Sequence, residues 1–152
     1  MLDSQAVIIS LNKLIQFLTV EKEYFLNLSE SIADDVLSAF CKRRAEEIKK
    51  NIYELRKLVY NIGGNPPFTL SFTGFLHSKW KLIKTAVLCN DQFRLVKEIE
   101  GLSQLLLKAY EGVSKKYLPP MVSIVLMRQI DDLRRNVSQC KQLHHHMELM
   151  PG

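Results

Sequence analysis

Apolar residues recur three and four positions apart over most of this chain, and that spacing makes helix its dominant regular structure. In the first run, Val7, Leu11, Leu14, Leu18, Phe25 and Leu28 share one stripe, from a start at Asp3 or Ser4. A second stripe holds Leu37, Cys41, Ile48, Ile52, Leu55, Val59 and Ile62. Gly63-Gly64 closes it, because a glycine just past a helix end accepts the left-handed conformation that stops the helix. The stretch "GGNPPFTLSF" from Gly63 to Phe72 cannot be helix, with two glycines and two prolines so close together. A shorter run follows, with Phe75, Leu76, Trp80, Ile83, Ala86 and Val87, from an expected cap at Ser71 or Thr73. Asn90 and Asp91 break it and cap a helix whose stripe is Phe93, Val96, Ile99, Leu102, Leu106, Tyr110 and Val113. Pro119-Pro120 open the last helix, with Val122, Leu126, Ile130, Leu133, Val137, Cys140 and Leu143 as its stripe.

Convincing strand alternation is absent, and no tandem repeat occurs. The reading is all-α: long helices at about 4–31, 34–62, 90–116 and 119–147, and a short one at about 73–88. Four apolar stripes joined mostly by short connections predict an antiparallel four-helix bundle. Its short extra helix lies in the long connection between the second and third long helices. With 152 residues the chain suffices for one domain, 1–152, that buries a core without crosslinks. The three cysteines (Cys41, Cys89 and Cys140) are far apart and form no CxxC pair, which fits a reducing, cytoplasmic setting. The opening "MLDSQAVIISLNKLIQFL" lacks a basic n-region and is interrupted by Asp3, Asn12 and Lys13, so neither a signal peptide nor a membrane span is expected.

Basic residues outnumber acidic ones 21 to 16, but the two signs are interspersed. "KRRAEEIKK" (Lys42 to Lys50) and "RQIDDLRR" (Arg128 to Arg135) both carry acids at helical spacing, as solvated helix faces do. A nucleic-acid site would draw on Lys42, Arg43, Arg44, Lys49 and Lys50. Without aromatics among them or a recognisable motif, nucleic acid is not the expected partner.

Several segments together resemble a bacterial family of ferritin-like four-helix bundles, catalogued as a domain of unknown function. They are "LNKLIQFL", "AEEIKKNIYEL", "GGNPP", "GFLHSKWKLIKTAV", "EIEGLSQLLLKAY", "LPP" and "RQ". The most specific residues are Gly74, His77 and Trp80 in the short helix, and Glu98, Glu100 and Tyr110 in the third long one. The resemblance implies the ferritin-like bundle and no activity. Dimetal sites in such bundles take a glutamate from each of two helices and Glu-x-x-His from each of the other two. This chain has no Glu-x-x-His. Ser103 and Gln104 stand where the resemblance implies acids, and Asn136 and Val137 near where an inward histidine is expected. The carboxylates a metal site would use are Glu21, Glu47 and Glu100, but no cofactor or metal is expected. Glu21 and Glu100 read as boundary carboxylates reaching solvent; Lys, Arg, Tyr24, Tyr110, Gln129 and Asn136 are partners of the right type.

The remaining singletons read as structural. Trp80 is expected to dock the short helix on the bundle while His77 hydrogen-bonds nearby, and Cys41 and Cys140 lie on apolar stripes as small buried side chains. His144 to His146 point around a helix at steps of about 100° and cannot converge on one ion. With no phosphate loop, nucleophile elbow or zinc spacing, the chain is not expected to be an enzyme. It reads as a non-catalytic bundle acting through protein contacts or as a homo-oligomer, with Ile8, Ile9, Leu26, Leu70, Phe72, Leu105, Leu107 and Met127 as its candidate surface; the alternative is a ferritin-like metal-binding or oxidoreductase domain with a degenerate dimetal site.

Overall fold

The computed structural model describes residues 3–67 and 74–149, with side chains over 3–67 and 80–146. Five helices and, among these residues, no strand form the chain: α1 (Ser4–Ser31), α2 (Asp35–Asn61), α3 (Gly74–Leu88), α4 (Gln92–Ser114) and α5 (Pro120–Leu149). α2 starts one residue inside its expected bound because Asp34, at that bound, acts as its cap. Asp3, Asp34 and Asp91 each accept backbone N–H groups of the following first turn through their carboxylates. The Ser71 or Thr73 cap expected for α3 lies outside the described residues.

Two helix ends have the same geometry from different residues. At the end of α2, Gly63 sits at φ +90, its N–H donating to Tyr60 O while Gly64 N–H donates to Val59 O. At the end of α3, Asn90 takes the left-handed role at φ 53, with Asn90 N–H bonded to Val87 O and Asp91 N–H to Ala86 O. Both are Schellman turns, which satisfy the last carbonyls and reverse the chain. Asp91 then caps α4 at once, so α3 and α4 join through a minimal link.

Side-chain pairs fix the helix directions. Arg43, Glu47 and Glu54 of α2 meet Gln139, Asn136 and Arg128 of α5, so these two helices run antiparallel. Tight hairpins join α1 to α2 and α4 to α5, and the packing closes a ring in the order α1, α2, α5, α4. In that ring α2 and α4 point the same way, so the connection between them must travel the length of the molecule. It does so through α3, which packs on α4 and stacks Trp80 on Tyr24 of α1, ring centroids 4.6 Å apart and 2° from parallel. Arg56 donates to Pro67 O, holding the start of that connection against α2.

The predicted stripes supply most of the core, with Leu11, Leu18, Phe25, Cys41, Ile48, Leu55, Ile83, Ile99, Leu102, Leu106 and Leu126 almost wholly buried. Phe93 departs from its expected place. Leu95 is buried instead, while Phe93 is 41% exposed and rests against the His144 ring at 4.6 Å. One turn into α4 the inward face has not yet settled onto the stripe. No helix among the described residues is long and apolar enough to cross a membrane.

Candidate functional site

A polar cluster occupies the middle of the bundle. Glu21 of α1, Arg44 of α2, Ser103 of α4, and Gln129 and Asn136 of α5 are all buried, with Glu47 half-buried beside them. Helical register puts them there. Arg44 follows Cys41 by three and precedes Ile48 by four, Gln129 follows Leu126 by three, and Asn136 follows Leu133 by three. Each therefore takes the inward face as its apolar neighbours do.

Most of the cluster is hydrogen-bonded. Arg44 Nη1 lies 3.1 Å from Glu47 Oε2, and Asn136 Nδ2 donates to the same oxygen at 3.0 Å and to Asp132 O. Tyr110 donates its hydroxyl to Gln129 Oε1 at 2.6 Å, and Gln129 Nε2 reaches Asn51 O at 3.4 Å. Ser103 returns its hydroxyl to Ile99 O. The guanidinium carbon of Arg44 stands 5.7 Å from the Phe25 ring centre, so part of its charge is met by an aromatic face.

Glu21 is the exception. Neither carboxylate oxygen has a donor, and Arg44 Nε also lacks an acceptor. Burial pushes the Glu21 carboxyl up to about 8, against the pull of Arg44. At neutral pH Glu21 is therefore mostly an uncharged acid. Burial likewise raises Tyr110, and raises Cys41 and Cys140 to about 12, each thiol too protonated to be a nucleophile.

Of the expected carboxylates, Glu21 and Glu47 both lie near Arg44. Glu21 lies wholly inside, contrary to the boundary position expected, because the 18-21-25 spacing keeps it on the stripe. Glu100 remains half-buried at the edge, accepting from Gln104 Nε2 at 3.2 Å. Glu47 is engaged by Arg44 and Asn136. Among the described residues no three His, Cys, Asp or Glu side chains come together as a metal site would need. Arg44, expected in a basic surface patch, is 2% exposed and cannot reach a phosphate. His77 belongs to α3, with its side chain outside the described residues.

Outside the cluster, a groove of about 510 Å³ separates α2 from α5 and is lined only by polar and charged side chains, including Arg43, Lys50, Arg128 and Arg135. Carboxylates alternate with these cations: Glu54 pairs with Arg128, and Asp132 with Arg135. The groove thus carries little net field.

The expected apolar surface is partly displaced. Ile8 is buried and Leu107 packs on the core, whereas Ile9, Leu26 and Met127 are exposed. Leu105 is half-buried, and Leu70 and Phe72 lie outside the described residues. Not anticipated were Tyr117, Met121 and Ile124, which join the expected Met127 as exposed residues around the start of α5. Tyr117, Met121, Ile124 and Met127 are 90, 68, 67 and 61% exposed. Their sequence signal was three apolar residues standing off the 122-126-130 stripe.

No curated protein matches the chain. The match to a described family runs over residues 6–116, from α1 through α4, and takes in Glu21, Arg44, Glu47 and Ser103. On that match the chain belongs to the family described as a domain of unknown function, DUF2383.

Proposed function

We propose that this chain is a non-catalytic, ferritin-like four-helix bundle acting through contacts with a protein partner or with further copies of itself, in a bacterial cytoplasm. The ferritin-like reading is supported by the helix directions, since α2 and α4 run the same way and a single long crossover joins them. The observation that carries the functional reading is Arg44. In a dimetal bundle, inward carboxylates converge on cations. Here a permanent guanidinium stands in the interior, bound to Glu47. The buried polar side chains Ser103, Gln129 and Asn136 are all neutral. A metal ion placed there would meet like charge and too few anionic donors, so the residues do not fit a metal pair.

The outer surface supports contacts instead, through the exposed cluster from Tyr117 to Met127. Light scattering at micromolar concentration tests this: the wild type should exceed a monomer's mass, and an M121K/I124K variant should fall toward it. A monomeric wild type counts against self-association. Near-stoichiometric iron, manganese or zinc surviving chelation of untagged protein would overturn the reading. So would tight nucleic-acid binding that weakens steeply with salt.

A further inference from the structure

We infer that the groove between α1 and α4 is the docking site for an acidic amphipathic helix of a partner protein. The inference rests on the contact reading above and adds a place and a partner chemistry to it. The groove has a volume of about 410 Å³; its floor is buried Ser10, Leu14 and Val113, with the small residues Ala6 on α1 and Ala109 and Gly112 on α4 nearer the surface. Gly112 is the most informative. A glycine inside a helix costs about 1 kcal/mol relative to alanine. A Cβ added at Gly112 would meet nothing within 4 Å, so no packing among the described residues requires its absence. What the missing side chain leaves is a trough into which another backbone can come close, as ridge-into-groove packing requires.

The chemistry of the rim selects the occupant. Lys13 and Lys116 line the groove, and no carboxylate does. Lys116 Nζ is held by a neutral group, Ser10 Oγ at 2.7 Å, and Ser10 is itself 5% exposed. Ile9, 48% exposed, and half-buried Phe17 give the trough an apolar wall. From Ala6 to Phe17 the trough follows three turns of α1, about 16 Å at 1.5 Å per residue. An amphipathic helix of that length would bury its apolar side on this floor and place flanking glutamates at the two lysines. A second copy offering the same face would set lysine against lysine. An acyl chain would stay largely wet, because the trough is open along its length.

The test uses two dye-labelled synthetic helices of about four turns. Both carry a Leu/Ala face; one has flanking glutamates and the other flanking lysines. The glutamate helix should bind wild type with an affinity that falls as salt rises, and the lysine helix about tenfold more weakly. G112L places its Cβ where nothing lies within 4 Å and replaces a helical glycine by a better helix former, so it should melt no lower than wild type while losing binding at least about tenfold. K13E/K116E should reverse the preference between the two helices. Unchanged binding to G112L, or equal binding of both helices to wild type, overturns the proposal. Oleate that binds more tightly than the glutamate helix and is lost in G112L reassigns the groove to lipid and overturns it as well. Failure of both helices removes the groove whatever the wild-type mass; that mass decides separately whether the chain associates with further copies of itself.

Discussion

Replacing Glu21 by glutamine should flatten a fall in stability that the buried carboxyl is expected to cause between pH 5 and pH 8. The wild-type carboxyl is 0% exposed and has no hydrogen-bond donor, and burial raises it from 4.5 to about 8. Below 4.5 the folded and unfolded chains are both protonated there, and the side chain's contribution is fully present. Between 4.5 and about 8 the folded chain keeps a proton that the unfolded chain has released, so rising pH favours unfolding. The slope is about 1.4 kcal/mol per pH unit, or about 4 kcal/mol from pH 5 to pH 8. Glutamine has the same shape and no proton to lose. Urea unfolding of E21Q and wild type across this range reads the difference. With a slope of about 2 kcal/mol per molar urea, the gap between their midpoints should widen by about 2 M from pH 5 to pH 8, in favour of E21Q. Cys41 and Cys140, raised by burial to about 12, add a slope of the same sign above the ordinary thiol range, and it cancels in the gap because both proteins carry them. Parallel profiles would refute the argument, and would mean that Glu21 ionises inside the fold as a partner of Arg44.

Y110F removes the 2.6 Å bond to Gln129 and leaves a buried amide oxygen without its donor, so it should cost about 1–3 kcal/mol in urea unfolding. G64A places a Cβ 2.7 Å from Ile8 Cγ2 at a point where α1 and the end of α2 cannot easily part; a loss of about 1–3 kcal/mol in thermal unfolding is expected. W80A deletes the stack on Tyr24 and should cost about 2 kcal/mol, less than a fully buried aromatic would, while hydrogen exchange in α3 accelerates more than in α1 or α2.

Much of the candidate site was legible, though not its arrangement. The same three- and four-residue steps that assign Leu18, Phe25, Cys41 and Ile48 to the core also turn Glu21 and Arg44 inward. Reading Arg44 with its neighbours Lys42 and Arg43 as a surface patch gave charge more weight than register. Arg44 can be buried because Glu47 on its own helix, Asn136 on α5 and the Phe25 ring on α1 all reach its surroundings. Those partners are brought together by α1, α2 and α5, and no local pattern announces their meeting. Glu100 shows the opposite case. One residue beyond Ile99, it rotates to the edge, where a neighbour on its own helix satisfies it.

The sequence by itself determined the helices, their ends and their inward faces, because these follow from local rules: apolar spacing, aspartate caps, and a left-handed Gly63 or Asn90 after a helix. Only the tertiary structure decided that Glu21 would stand without a donor, that Arg44 would hold the place between it and Glu47, and that Ala6, Ala109 and Gly112 would leave an open trough. Such properties depend on which helices face each other and at what separation, and those are set by the packing of all five helices together.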